Sequence, residues 1–192
     1  MTQKIRVAIN GFGRIGRTVL RAHLLRGLWQ EIEIVRINDI AAPEDCAYLF
    51  EYDSVFGPYP GRVDLVAGAL IVDGRTMPLT QQADLSRLDL SDIDVVMECT
   101  GKADTPEVAN RGLRAGAQRV LVSGPSEAAD FTVVLGANDE GLRTEQRIIS
   151  NASCTTNALA PVARLLDEAF GIETGWMTTI HCYTGSQPTV DT

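Results

Sequence analysis

The pattern of apolar and polar positions at the start of the chain predicts a strand, a helix and a second strand. Residues 5–10 form a short run of the kind that is buried in a parallel sheet, and residues 33–38 form another. Between them, apolar side chains recur at helical spacing from about residue 14 to residue 26. These helical positions are Ile15, Val19, Leu20 and Leu24. This order of elements is typical of the first unit of an α/β sheet.

A turn with the glycine spacing G-x-G-x-x-G joins the first strand to the helix. Gly11 permits the tight turn, Gly13 lets the backbone approach a pyrophosphate, and Gly16 lets the helix pack closely on the strand. Asp39 follows the second strand, where its carboxylate can accept hydrogen bonds from ribose hydroxyls and repel a 2′-phosphate. In this context the motif predicts a dinucleotide-binding site that prefers NAD.

The rest of the chain continues the α/β pattern, with an irregular insertion after the second strand. Short helices are predicted over residues 44–50 and 105–115, the second with Thr105 as its N-cap. The insertion contains short antiparallel strands and is expected to leave the parallel order of the sheet unextended. Further strands are predicted over residues 62–66, 69–74, 93–99, 119–123, 132–135, 147–150 and 176–181. The predicted fold class is α/β, with a Rossmann-like doubly wound sheet.

Composition and charge argue against several classes of function. The chain has 192 residues, of which 45% are hydrophobic and 22% charged, and its net charge is −8. This acidic balance argues against nucleic-acid binding, because neutralising phosphates requires clustered Lys and Arg. The sequence shows no signal peptide and no long apolar run, so we expect no membrane partner. The four cysteines lack metal-like spacing, which predicts free thiols, no metal site and a cytoplasmic location.

Cys154 lies among small polar residues, whereas buried structural cysteines usually have apolar neighbours. It follows the strand that ends at Ser150 and precedes an apolar helical stripe. If the helix begins at Cys154, its dipole favours the thiolate, and Pro161 lies inside the helix. If the helix begins near residue 160, Asn157 is its cap and Cys154 lies outside it. The residues therefore favour either a nucleophilic thiol or a thiol that fills a tight turn.

A nucleotide fold with such a cysteine suggests the oxidation of an aldehyde through a thioester. Addition of a thiolate to the carbonyl group makes a hemithioacetal, whose hydride can then leave. This chemistry needs a base with a pKa near neutrality. The chain has two histidines. His23 lies on the first helix, where a packing or surface role is expected, and His181 ends the last predicted strand, a position that can return beside Cys154.

Several segments, spread in order over the whole chain, carry a resemblance to a known family. They are Asn10-Gly-Phe-Gly-Arg-Ile-Gly-Arg17, Ile37-Asn-Asp39, Tyr52-Asp-Ser54, Ser150-Asn-Ala-Ser-Cys-Thr-Thr-Asn157, Met177-Thr-Thr-Ile-His181 and Tyr183-Thr184. Together they resemble phosphorylating glyceraldehyde-3-phosphate dehydrogenase. The resemblance implies an NAD-binding Rossmann domain over residues 1–150 and the beginning of an α+β catalytic domain over residues 151–192. It also implies a homotetramer that converts glyceraldehyde 3-phosphate, inorganic phosphate and NAD⁺ into an acyl phosphate and NADH, in glycolysis.

The resemblance also assigns roles to individual residues. Cys154 is implied as the thiol nucleophile and His181 as the base that activates it. The implied cofactor-binding residues are Asn10, Gly11, Gly13, Arg14, Ile15, Gly16, Asp39, Thr100, Gly101 and Ser123. The implied residues for inorganic phosphate and substrate are Ser153, Thr155, Thr184 and Ser186.

Two departures from the family pattern affect these expectations. Ala83 aligns with an arginine that many relatives place near the adenine, and family members continue well beyond Thr192. We therefore expect a fragment or truncated form with little activity alone, because substrate-phosphate groups of the family lie beyond this point. An erythrose-4-phosphate dehydrogenase and a non-catalytic NAD-binding module stay open as alternatives, as does NADP in place of NAD.

Overall fold

The computed structural model describes residues 4–27 and 30–182 and centres on one large twisted sheet. Its strands are β1 (Ile5–Asn10), β2 (Ile32–Asn38), β5 (Val63–Val66), β6 (Ala69–Val72), β7 (Arg75–Thr80), β8 (Val95–Glu98), β9 (Arg119–Val122), β10 (Phe131–Thr132) and β11 (Ile148–Ser150). A separate hairpin consists of β3 (Tyr52–Asp53) and β4 (Gly57–Pro58). The α-helices are α1 (Arg14–Arg26), α2 (Pro43–Glu51), α3 (Pro106–Ala109), α4 (Arg111–Arg114) and α5 (Cys154–Phe170). Single 3₁₀ turns lie at Leu85–Arg87 and Asp139–Gly141.

The strand order of the sheet is β10-β11-β9-β8-β1-β2-β7-β6-β5. All neighbours from β10 to β7 pair in parallel, which confirms the predicted Rossmann-like α/β class. The chain adds β2 on one side of β1 and later β8 on the other side, so the order reverses next to β1. Such a reversal opens a crevice at the carboxyl ends of the strands, where ligands of open α/β sheets bind.

The insertion after β2 extends the sheet, contrary to the expectation that it would leave the parallel order unchanged. The strands β5, β6 and β7 form an antiparallel meander, as predicted. However, β7 also pairs in parallel with β2, through Ile37 with Leu79 and Asn38 with Thr80. The Asp39 amide donates to the Thr80 carbonyl at 3.0 Å, which continues this pairing into the loop. The edge of β2 is therefore covered, as an open edge would otherwise attract another chain.

Apolar side chains cover the sheet on both faces, as expected for parallel strands. On one face, Ile9 packs in a cluster with Leu20 of α1 and Phe50 of α2, and all three are fully buried. On the other face, Ala8 packs in a second cluster with Ala109 of α3. Of the helices in the described ranges, none has both the length and the apolar character that spanning a bilayer requires.

The structure tests three local predictions in the second half of the chain. The helix predicted over residues 105–115 is interrupted at Asn110, between α3 and α4, where the Asn110 side chain donates to the Pro106 carbonyl in addition to the backbone amide. Thr105 is the N-cap of α3, but its side chain makes no capping hydrogen bond. The strand predicted over residues 176–181 is wrong, because this segment pairs with no other strand in the described ranges. The division of the chain at residue 150 stays a prediction.

Candidate active site

A network of buried polar side chains lies where β1, β2 and β8 end. Asn10 donates from Nδ2 to Glu98 Oε2 at 2.5 Å, and Asn38 donates from Nδ2 to Asn10 Oδ1 at 2.8 Å. The other oxygen of Glu98 accepts from the Thr100 amide at 2.9 Å, and Asn38 Oδ1 accepts from the Gln82 amide at 2.9 Å. Because buried polar groups are stable only when paired, this network fixes the carboxyl ends of three adjacent strands.

The first cleft lies above this network and has a volume of about 250 Å³. Its lining includes five residues predicted to bind the cofactor, namely Asn10, Gly11, Gly13, Asp39 and Thr100. A Cβ at Gly11, where φ is +89°, would lie 2.7 Å from the Thr100 amide nitrogen, and a Cβ at Gly16 would lie 2.2 Å from the Gly11 carbonyl oxygen. A Cβ at Gly13 would instead project into open space. Gly11 and Gly16 therefore match their predicted uses in a tight turn and in close helix packing, and the use of Gly13 for a pyrophosphate stays a prediction.

The surroundings of the turn also suit a diphosphate. The first turn of α1 contains no acidic residue, so nothing offsets the positive end of the helix dipole there. Asp39 accepts from the Phe12 amide at 2.5 Å through one oxygen and from the Ala41 amide at 2.8 Å through the other. Each carboxylate oxygen retains a second lone pair that can accept from a ribose hydroxyl. Arg14 lies outside the cleft lining and contacts Asp53 across 3.6 Å.

A second cleft has a volume of about 340 Å³. Cys99 lines both clefts and marks where they meet. Ile15, Ser123 and Cys154 line the second cleft, so three predicted site residues from separate parts of the chain come together. Gly101 lies in the turn after β8 with φ of +70° and lines neither cleft.

The chain enters α5 through a sharp bend that presents the cysteine. Ala152 has φ of +56°, a left-handed conformation that is rare for residues other than glycine and is often found at functional sites. Ser150 holds the bend, since its hydroxyl donates to the Gly124 carbonyl at 2.9 Å and accepts from the Ala152 amide at 3.1 Å. Ser153 is the N-cap of α5 and accepts from the Thr156 amide at 3.1 Å. The helix begins at Cys154 and includes Pro161, which decides the alternative left open by the sequence.

Cys154 and His181 lie in direct contact. The distance from Cys154 Sγ to His181 Nε2 is 3.1 Å, although the two residues are 27 positions apart. The hydrogen bond to the imidazole is the main cause that lowers the pKa of the Cys154 thiol, and its place at the start of α5 acts in the same direction. The pKa of His181 is raised, first by the Cys182 carbonyl, which lies 2.5 Å from Nδ1, and then by Cys154. The pair therefore favours a thiolate beside an imidazolium.

The other cysteines with a shifted pKa differ from Cys154 in this respect. Burial raises the pKa of Cys46 and of Cys99 to about 11, so both are neutral thiols at physiological pH. Cys154 is exposed, whereas Cys46 is buried. Within the described ranges, no group of three or more His, Cys, Asp and Glu residues is arranged to hold a metal ion. Of the two predicted histidine roles, packing of His23 is confirmed, because this residue is buried on α1.

Hydroxyl groups cluster at the start of α5, next to the cysteine. Ser153 Oγ lies 3.0 Å from the Thr155 hydroxyl and 2.7 Å from the Thr156 hydroxyl. Thr184 and Ser186, the other two predicted phosphate contacts, lie outside the described residues. The cluster and the Cys154–His181 pair together form a reactive thiol with hydrogen-bonding groups beside it.

Comparisons with known proteins agree with this geometry. Residues 5–106 match the family model described as the NAD binding domain of glyceraldehyde 3-phosphate dehydrogenase, and residues 153–192 match the model of its C-terminal domain. The chain belongs to the glyceraldehyde-3-phosphate dehydrogenase family. NAD is the cofactor of the matched domain, and the residues around the two clefts fit it.

Curated relatives named glyceraldehyde-3-phosphate dehydrogenase are similar over nearly the whole chain. The protein of Xanthobacter flavus is 52% identical over 192 residues, which cover 98% of this chain and 56% of that relative. The proteins of Cereibacter sphaeroides and Thermotoga maritima are 48% and 45% identical, over 98% and 97% of this chain. The chain spans 56% of the length of each of these two relatives as well.

Sequence reasoning missed some residues of the two clefts. Glu98, Gln82, Lys102 and Arg111 belong to the network or to the lining of the first cleft. Glu98 is the last residue but one of the strand predicted over residues 93–99, and an acidic residue in that position was a usable signal. The remaining three lie on loops or on the short helix α4, and their approach to the cleft depends on how the sheet brings these segments together.

Proposed function

We propose that this protein catalyses the NAD-dependent oxidative phosphorylation of glyceraldehyde 3-phosphate to 1,3-bisphosphoglycerate, in glycolysis and gluconeogenesis. The observation that supports this most strongly is the contact of 3.1 Å between Cys154 Sγ and His181 Nε2 at the second cleft. A thiol and a base within hydrogen-bonding distance are what a thioester mechanism requires. The two clefts share Cys99, which supports placing the nicotinamide near this pair.

The tautomer of His181 suits its proposed role as a base. A carbonyl oxygen can only accept a hydrogen bond, so Nδ1 donates to the Cys182 carbonyl and Nε2 is left to accept the thiol proton. In the first step, His181 takes the proton of Cys154, and the thiolate sulfur adds to the aldehyde carbon. The C=O electron pair moves to the oxygen, which gives a hemithioacetal after protonation by His181.

Oxidation and phosphorolysis then complete the proposed reaction. NAD⁺, when bound, accepts the hydride from the hemithioacetal carbon. His181 takes the hydroxyl proton as the C=O bond reforms, which leaves a thioester on Cys154. Inorganic phosphate attacks the thioester carbon, and Cys154 leaves as a thiolate that the histidine stabilises. The products are an acyl phosphate, NADH and one proton, which balances aldehyde, phosphate and NAD⁺.

Two phosphate subsites belong to the proposal, and hydroxyl groups at the start of α5 support the first of them. We assign Ser153 and Thr155 to inorganic phosphate, because their hydroxyls lie 3.0 Å apart beside the thiol at the positive end of α5. Thr184 and Ser186 are assigned to the substrate phosphate on the family pattern. The family also supports a homotetramer in the cytoplasm, and the net charge of −8 argues against a nucleic-acid partner.

Measurement of NADH formation tests the proposal. The complete product of the coding sequence that contains this chain is mixed with glyceraldehyde 3-phosphate, NAD⁺ and inorganic phosphate, and erythrose 4-phosphate replaces the triose in a parallel assay. We expect rapid NADH formation with the triose and none from the Cys154→Ser variant. The Cys46→Ala variant is the control, because Cys46 is a neutral thiol that lines neither cleft. NADH formation that survives the loss of Cys154 would contradict the mechanism, and a preference for the tetrose would contradict the substrate.

A further inference from the structure

Three apolar residues in the lining of the first cleft, Ile40, Ala83 and Val108, are absent from the lining of the second cleft, which contains Cys154. We call them the apolar end of the first cleft, and Ile40 is 68% exposed. If the ribose of the cofactor lies at Asp39 and the nicotinamide lies toward Cys154, the adenine must lie at this apolar end. Exposed apolar side chains beside a polar cleft commonly mark a surface that a ligand covers.

Arg111 lies at the same end of the cleft and comes from α4. Its Nε lies 3.5 Å from Asp84 Oδ1, and its Nη1 donates to the Ala83 carbonyl at 3.4 Å. Asp84 is itself held, because it accepts from the Ser86 amide at 3.1 Å and from the Ser86 hydroxyl at 2.7 Å. These contacts hold the guanidinium by its edge, and a guanidinium held in this way presents its flat faces to a neighbouring ring.

Ala83 makes room for this arrangement. Its side chain is one methyl group, so Ala83 adds little side-chain volume where its carbonyl contacts the Arg111 guanidinium. A planar purine needs a flat partner on at least one side, and an arginine that stacks on an aromatic ring provides both dispersion and cation–π attraction. Arg111 is the residue with this chemistry in the lining of the first cleft.

We propose that Arg111 binds the adenine of NAD by stacking on the ring, and that it sets the affinity of the first cleft for the adenosine half of the cofactor. The proposal rests on the assignment of NAD to this cleft. It predicts an effect on binding of the cofactor that does not require the Cys154–His181 pair. Asp84 then acts as a positioning residue that holds the guanidinium.

Calorimetric titration with NAD⁺ and with ADP-ribose tests this proposal in the purified protein. We compare the protein with Arg111→Ala, Arg111→Lys and the matched control Arg114→Ala, which removes the same charge from an exposed position of the same helix. We expect Arg111→Ala to lower the affinity for both ligands by about five- to tenfold, which is the range that a cation–π contact supports. Arg111→Lys keeps the charge but loses the planar group, so most of the loss should persist. Arg114→Ala should bind as the parent does.

Each of the other possible titration results contradicts either the cofactor assignment or one part of the Arg111 proposal. If the parent protein does not bind NAD⁺, the cofactor assignment fails and the proposal fails with it. If the parent binds but Arg111→Ala matches Arg114→Ala, the proposal alone is wrong. Full recovery of the affinity in Arg111→Lys would show that charge acts without stacking. A loss of affinity for NAD⁺ without a loss for ADP-ribose would exclude the adenine as the group that Arg111 binds. Thermal unfolding followed by circular dichroism checks that the variants are folded. If Arg111→Ala does not fold, Arg111→Lys still tests the proposal.

Discussion

Replacement of Gly16 by alanine tests whether the glycine turn is needed for packing. The new Cβ would lie 2.2 Å from the Gly11 carbonyl oxygen and 3.0 Å from Cγ2 of Ile9. A backbone oxygen cannot rotate away, so either α1 or the turn must move. Overpacking of this kind costs about 1–3 kcal/mol, and the upper half of that range applies to a backbone contact. The gain in helix propensity from Gly to Ala offsets up to about 1 kcal/mol of it.

The expected net result is a loss of about 2 kcal/mol in the free energy of unfolding. Urea unfolding followed by circular dichroism measures this loss as a lower midpoint with an unchanged slope. Because the turn also moves, NAD⁺ affinity should fall in the folded variant.

Gly13→Ala is the matched variant, because Gly13 belongs to the same motif and only the space around its added Cβ differs. Its Cβ would meet nothing within 4 Å, and φ of −70° is allowed for alanine. We expect stability to change by about 0.5 kcal/mol or less, while NAD⁺ affinity falls by at least about tenfold since the Cβ occupies the path of the pyrophosphate. Equal stability losses in Gly13→Ala and Gly16→Ala would refute the reasoning, as would a Gly16→Ala protein with parental stability and affinity.

Three further predictions follow from individual contacts. His181→Ala should raise the pKa of the Cys154 thiol, because the hydrogen bond that lowers it is lost. The thiolate is then lost at a higher pH, so alkylation of the Cys154 peptide by iodoacetamide should need a more alkaline pH. An unchanged pH profile of alkylation would contradict the pairing of the two residues. Glu98→Gln places an amide donor against the donors of its buried partners and should destabilise the fold by about 2 kcal/mol in urea unfolding, whereas exposed Glu107→Gln should have no such effect. Asp39→Asn removes a negative charge beside the proposed ribose site and should narrow the preference for NAD⁺ over NADP⁺ by about tenfold in titrations, so an unchanged ratio of affinities would exclude this role.

Most of the parallel sheet could be predicted because its signals are local. Short buried runs, a glycine turn and a helical repeat lie within a few residues of one another, and each excludes most alternatives. The strand predicted over residues 176–181 is wrong because a strand does not depend on local signals alone. Its apolar pattern suits a strand, but a strand also needs a partner, and the sequence does not show which backbone lies beside it.

The candidate site likewise contains some residues that the sequence identifies and others that it does not. Gly11, Gly13 and Asp39 were visible in the sequence, because a pyrophosphate and a ribose impose fixed requirements on one short segment. Arg111 was not visible, since its distance from Asp39 along the chain carries no information about the distance between the two residues in space. The structure brings them together because parallel strands place their carboxyl ends at one edge of the sheet.

By itself, the sequence determined the chemical types present, namely a dinucleotide turn, a polar-flanked cysteine and a histidine. The tertiary structure decided which of them meet. It begins α5 at Cys154 and brings His181 within 3.1 Å of the thiol, across 27 positions of chain. A lowered thiol pKa depends on that distance, because hydrogen bonding and charge attraction act between neighbours in space. No pattern along the chain specifies such a distance, and packing of the whole fold does.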